Sequence, residues 1–183
     1  LCSTRQLYRM RHGHRRVREL ATATERTDNP ADLLLNVYDI SPHLNRTIAC
    51  VSCSQSRWGI YHSGIQVFEQ EFSFGGHAGN TTGLQASAPQ DVCGARFKCS
   101  LVLGRTGLDP VELRSLVAEL AMQWPGNSYH PLRRNCNHFA EAFSLRLGGA
   151  APPRWVNEFS RSQTVRLLLP AFTRLASLLK LQP

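Results

Sequence analysis

The stretch from Trp58 to Gly76, WGIYHSGIQVFEQEFSFGG, decides the fold class. It is dense in aromatic and β-branched side chains, which suit the pleated, half-buried surface of a sheet. Two strands are expected, at about 58–68 and 71–74, turning near Glu69-Gln70, with Gly75-Gly76 closing the second. Upstream, Asp32 to Ile40 (DLLLNVYDI) is a short apolar run ended by Ser41-Pro42 and reads as a buried strand. Downstream, Arg96 to Leu103 supplies a further strand. Between them, residues 77–95 hold Gly, Asn, Thr, Pro and Ser without periodicity. They are expected to form a long loop, placed to fold over the strands as a lid. Residues 48–55 favour no element.

The second half of the chain changes period. Asp109-Pro110-Val111-Glu112 is a helix start: Asp caps, Pro takes the first helical position, and Glu stands three residues after the cap. Leu113, Leu116, Val117, Leu120 and Trp124 follow at helical spacing until Pro125-Gly126. A second helix is expected from Asn135 or Cys136, with Phe139, Ala140, Phe143 and Leu147 on one stripe and Gly148-Gly149 as its stop. Pro152-Pro153 opens a third helical segment, and Phe172 to Leu181 reads as a short amphipathic helix. Strands come first and helices follow, which is an α+β layout: an antiparallel sheet packed against helices.

The 183 residues suffice for one domain with a substantial core, and 42% apolar content fits a globular chain. No stretch approaches the roughly 20 apolar residues of a membrane span. The net charge of +8 is located in the tails. Residues 1–27 carry seven Arg and two acids, residues 159–183 four basic residues and no acid, and residues 28–158 ten basic and eleven acidic residues. A nucleic-acid reader carries its basic stripe on the folded face, so nucleic acid is not an expected partner. Weak attraction of the tails to an anionic membrane surface is the most that this distribution supports. Three segments are therefore expected: a basic tail over 1–27, a folded domain over 28–160, and a basic helical extension over 161–183. The first residue is Leu rather than Met, which leaves a segment upstream open.

Of the six cysteines, Cys136 stands out. A thiolate is the reactive form of Cys, and a helix N-terminus or a neighbouring His lowers its pKa. Cys136 is placed at a helix start, with Arg133-Arg134 adding positive charge just before it. The polar setting Asn135-Cys136-Asn137-His138 is unlike that of a plain core cysteine. The helix-start N–H groups would also stabilise an oxyanion. For the general base, His62, His77, His130 and His138 all compete, and spacing does not choose among them. Gly64, beside His62, leaves room for close approach by another chain or ligand. Cys50-Val51-Ser52-Cys53 is a single CxxC without a second ligand pair, so no metal is expected there. Absence of a secretory pattern points to free thiols in a reducing compartment, cytoplasmic or nuclear.

Several stretches together resemble the PPPDE peptidase superfamily of desumoylating isopeptidase (DeSI-like) proteins. They are Val37-Tyr38-Asp39-Ile40, Gly59-Ile60-Tyr61-His62-Ser63-Gly64-Ile65, Glu71-Phe72-Ser73-Phe74-Gly75-Gly76-His77, Val102-Leu103-Gly104-Arg105-Thr106, Gly126-Asn127-Ser128-Tyr129-His130, Asn135-Cys136-Asn137-His138-Phe139 and Pro153-Arg154-Trp155. The order and spacing agree over roughly residues 33–160. The resemblance implies a permuted papain-like α+β fold and a Cys–His dyad, with His62 as base and Cys136 as nucleophile. It implies a thiol isopeptidase acting on conjugates of ubiquitin or a ubiquitin-like protein such as SUMO, without cofactor or metal. Asn135, Asn137 and Gly64 are the oxyanion and cleft candidates. Two other readings share these residues: a protein S-acyl thioesterase using the same dyad, and a binding module that has lost catalysis. The arginine-rich start and residues 44–57 depart from the family pattern.

Overall fold

The computed structural model describes residues 30–40, 59–92, 94–165 and 167. The basic tail, the CxxC and the helix expected around Phe172 to Leu181 lie outside these residues. Five strands form one antiparallel sheet: β1 (Ala31–Asp39), β2 (Tyr61–Val67), β3 (Gln70–Phe74), β4 (Leu84–Ser87) and β5 (Arg96–Thr106), in the order β4-β3-β2-β1-β5. Among the described residues the helices α1 (Pro110–Gln123), α2 (Cys136–Arg146) and α3 (Glu158–Arg161) follow. The architecture is α+β, as the change of period implied.

The register follows from alternation along the strands. Leu33, Leu35 and Val37 of β1 and Ile65 and Val67 of β2 point to one face and are fully buried. Phe72 and Phe74 of β3 join them, and α2 lies across this face. Phe143 meets Phe72 edge-on at 5.5 Å between ring centres and stacks on Phe139 at 5.4 Å. Phe139 also meets Trp124, at 5.4 Å, which brings the end of α1 into the same core. α1 starts as the sequence dictates: Asp109 Oδ1 accepts the N–H groups of Val111 and Glu112, while Glu112 Oε2 accepts the N–H of Asp109.

The opposite face of the sheet is covered only in part, and Val102 of β5 stays exposed on it. Asn36, Tyr38 and Glu71 project from it and are buried. The Glu71 carboxylate accepts from the Tyr38 hydroxyl at 2.7 Å, from Asn36 Nδ2 at 2.7 Å, and from the Gln90 N–H at 2.9 Å. A buried carboxylate is tolerable only when its oxygens are saturated in this way. Sequence patterning gave no sign of it.

Three further differences have local causes. β4 lies inside the expected 77–95 loop; its four residues are half-buried at the sheet edge and so carry no strong apolar period. The later part of the loop folds onto β3, where the Gln90 N–H reaches Glu71. Hydrogen bonds from Gly83 N–H to Trp124 O (2.8 Å) and Gly126 N–H to Thr81 O (2.8 Å) tie the first part of the loop to the end of α1. β5 runs past Leu103 because Gly104, at φ +130°, forms a bulge opposite Leu33/Leu34 and lets pairing resume. The freed Leu103 carbonyl accepts the Ala150 N–H at 2.7 Å.

Candidate active site

The site begins with an opening in the sheet. β3 pairs with β2 only over Ile65 to Val67, so the earlier edge of β2 has no strand partner on that side. Residues 61, 63 and 65 present their backbone groups to the same side of the strand. The first turn of α2 takes the place of the absent strand. Asn137 Nδ2 donates to the Tyr61 carbonyl at 3.1 Å, and Ser63 Oγ donates to Asn137 Oδ1 at 2.7 Å. The Ser63 N–H points at the Cys136 sulfur. The helix is thus plugged into the sheet edge at its first two residues, which fixes Cys136 beside the strand that carries His62.

Local sequence sets the helix start. Asn135 is the N-cap: its Oδ1 accepts the His138 N–H at 3.1 Å, and its own N–H lies 3.2 Å from His138 Nδ1. Cys136 is the first helical residue. At the other end Gly148, with φ +85°, lets Gly149 N–H reach Ser144 O at 2.9 Å and closes the helix.

Cys136 and His62 line one cavity of about 260 Å³. Ile40, Tyr61, Tyr129, Pro131, Asn135, Asn137, Val156, Asn157 and Phe159 share the lining. The remaining candidate bases serve their own loops. His77 is hydrogen-bonded by Gly79 N–H and lies 3.1 Å from Thr82 O, His130 Nδ1 accepts the Leu132 N–H, and His138 caps α2. Among the described residues His62 is therefore the histidine that shares a cavity with Cys136.

The electrostatics depart from the sequence expectation. Burial pushes the Cys136 thiol up from its ordinary value. The Ser63, Asn137 and Cys136 N–H groups and the Tyr129 hydroxyl pull it down but do not win. The arginine contribution is also missing from Arg134. That guanidinium stacks on the Trp124 ring at 4.0 Å and donates to Gln123 O (2.7 Å) and Ser128 Oγ (3.1 Å). Burial likewise holds the His62 ring down to about 4. Its ring packs against Tyr38 at 5.9 Å, behind which Glu71 is sealed. Cys136 and His62 therefore rest as a neutral thiol and a neutral imidazole that line the same cavity.

The cleft candidates fall in different places. Asn135 and Asn137 line the cavity, but their amide N–H groups are directed at oxygens of the protein itself. Asn135 Nδ2 donates to Pro131 O at 2.7 Å and to Asn157 Oδ1 at 3.2 Å, and Asn137 Nδ2 reaches Tyr61 O. Gly64 faces Glu71 and is not among the cavity residues; a Cβ there would lie 2.3 Å from Glu71 Oε1. The close approach anticipated at this glycine is made by a buried side chain. Two groups at the site gave no signal in the sequence: the Tyr129 hydroxyl, which faces the sulfur, and Asn157, brought in by the turn Arg154–Asn157. Trp155, edge-on to Tyr61 at 5.3 Å, anchors that turn. Among the described residues no group of three or more His, Cys, Asp or Glu side chains is gathered to hold a metal.

A thiol at a helix start, held against a strand bearing a histidine, is the arrangement of a papain-like α+β domain in permuted order, with the histidine first in the chain. Residues 31–174 match the family model described as "PPPDE putative peptidase domain", and the chain belongs to that family. It is 36% identical over 130 residues to a protein of Caenorhabditis elegans named desumoylating isopeptidase 1 homolog, covering 69% of this chain and 37% of that one. A DeSI-like protein of Arabidopsis thaliana is 35% identical over 127 residues, covering 69% and 54% respectively. The chain thus spans about half or less of the length of these two relatives. Desumoylating isopeptidase 1 of Xenopus laevis is 27% identical over 160 residues, covering 87% of this chain and 92% of that protein.

Proposed function

We propose that the chain is a thiol isopeptidase that releases SUMO, or another ubiquitin-like modifier, from lysine side chains. Cys136 Sγ attacks the carbonyl carbon at the modifier's C-terminus while His62 takes the thiol proton. The tetrahedral adduct collapses to a thioester, and the protonated His62 gives its proton to the departing lysine amine. Water, deprotonated by His62, then attacks the thioester and returns the free thiol and the modifier's carboxylate. The observation that carries this reading is the shared cavity of Cys136 and His62 at a capped helix start. The names of the nematode and frog relatives support SUMO as the modifier. At about 260 Å³ the cavity lies below the roughly 300–1,000 Å³ of ordinary small-molecule pockets, which suits a slender glycine tail.

A second reading, an S-acyl thioesterase, draws support from the apolar part of that lining: Ile40, Tyr61, Pro131, Val156 and Phe159. Both use one dyad, and substrate competition separates them. The test is kcat/KM for a SUMO conjugate, a ubiquitin conjugate and a palmitoylated peptide thioester under one set of conditions. The isopeptidase reading expects a modifier conjugate to lead. A clear excess for the thioester reverses the assignment.

A further inference from the structure

Asn157 is buried, 5% exposed, and lines the cavity that holds Cys136. Its side-chain oxygen is fully used. Oδ1 accepts from Asn135 Nδ2 at 3.2 Å, from Asn137 Nδ2 at 3.5 Å and from Ser160 Oγ. These three donors fix which end of the amide is oxygen, because flipping it would turn Nδ2 toward two other amide nitrogens. Nδ2 itself has no hydrogen-bond partner, the one such buried side-chain nitrogen or oxygen among the described residues. An orphaned buried donor is costly and calls for a reason in a folded chain.

The placement of this donor suggests the reason. Asn135 and Asn137 flank Cys136 in sequence, and both grip the same Asn157 oxygen. Asn157 is thereby tied to both residues that flank the thiol, and it lines the thiol's cavity. A thiol attacking a carbonyl there creates a negative oxygen beside the sulfur, and a fixed donor with no competing partner is what that oxygen requires. The amide N–H groups of Asn135 and Asn137 are otherwise engaged.

Resting on the thiol-hydrolase reading above, we infer that Asn157 Nδ2 is an oxyanion donor, acting with the Cys136 backbone N–H. It is satisfied only when a substrate carbonyl occupies the cavity. Its target is the acyl oxygen, so the role holds whether the leaving group is an amine or a thiol.

The test compares two reactions of the same sulfur in wild type, Asn157→Asp and Asn157→Leu. Alkylation of Cys136 by iodoacetamide forms no oxyanion; turnover of an acyl substrate does. The acyl substrate is whichever of a SUMO C-terminal fluorogenic amide, its ubiquitin counterpart or a palmitoyl peptide thioester the wild type processes. Asn157→Asp keeps the acceptor for the three donors, and Asn157→Leu keeps neutrality, so the flaws of the two variants differ. The expected result in both is a fall in kcat of about 100-fold or more, with KM and the alkylation rate within about threefold of wild type. Unchanged kcat overturns the assignment. So does an equal fall in kcat and alkylation, which would mark a residue that merely positions Cys136. A wild-type protein that alkylates at Cys136 but turns over none of the three substrates instead removes the hydrolase reading, and this inference with it.

Discussion

His62 should make the folded protein sensitive to mild acid in a way that one substitution removes. An imidazole ordinarily titrates at about 6.5, and burial holds this one down to about 4. Between those values the unfolded chain binds a proton that the folded chain refuses. Stability is therefore fully present at neutral pH, falls as pH drops through about 6.5, and stops falling below about 4. At about 1.4 kcal/mol per pKa unit the whole shift corresponds to roughly 3 kcal/mol, an upper bound because the ring borders the cavity. Between pH 7 and pH 5 the expected loss is about 2 kcal/mol. The assay is urea unfolding at both pH values in wild type and His62→Asn, whose difference cancels the titration of every other group. Wild type should lose about 2 kcal/mol more than the variant over this interval. Equal losses in the two proteins would mean that His62 titrates like a solvated imidazole, and the neutral-pair account of the site would fail.

Two further outcomes follow from the same packing. Gly64→Ala places a Cβ 2.3 Å from Glu71 Oε1 in a fully formed hydrogen-bond network, and should destabilise the fold by about 1–3 kcal/mol in chemical denaturation. A neutral effect would show that the strand shifts freely at this point. Tyr129→Phe removes a hydroxyl that lowers the Cys136 pKa, so the pH profile of thiol alkylation should move to higher pH. An unmoved or acid-shifted profile would contradict that contact.

The sequence shows the fold where local chemistry and packing agree. Asp109-Pro110-Val111-Glu112 and the Phe139, Ala140, Phe143 and Leu147 stripe mark both main helices because capping and burial act within a few residues. β4 was hidden because a half-buried edge strand has no need of an apolar period. The end of β5 was hidden because a glycine bulge looks like a stop. The resemblance pointed to His62 over three rivals that spacing left equal, and the rivals turn out to be tied into their own loops. Asn135 and Asn137 were legible as polar intruders at a helix start, but their use as a substitute strand for β2 depends on where β3 stops pairing. Glu71 and Asn157 were silent because the partners that hold them are distant in sequence. The thiol electrostatics were misjudged for a related reason: a helix start is visible in sequence, whereas the burial that outweighs it is not.

The most direct measurement is covalent capture. SUMO and ubiquitin carrying a C-terminal electrophile are incubated with wild type, Cys136→Ala and His62→Ala, and each adduct is mapped by peptide mass spectrometry. A single adduct on Cys136 in the wild type is predicted, absent from Cys136→Ala and greatly slowed in His62→Ala, with all three proteins folded. Capture on another cysteine, or undiminished capture by a folded Cys136→Ala protein, would contradict the assignment of the nucleophile.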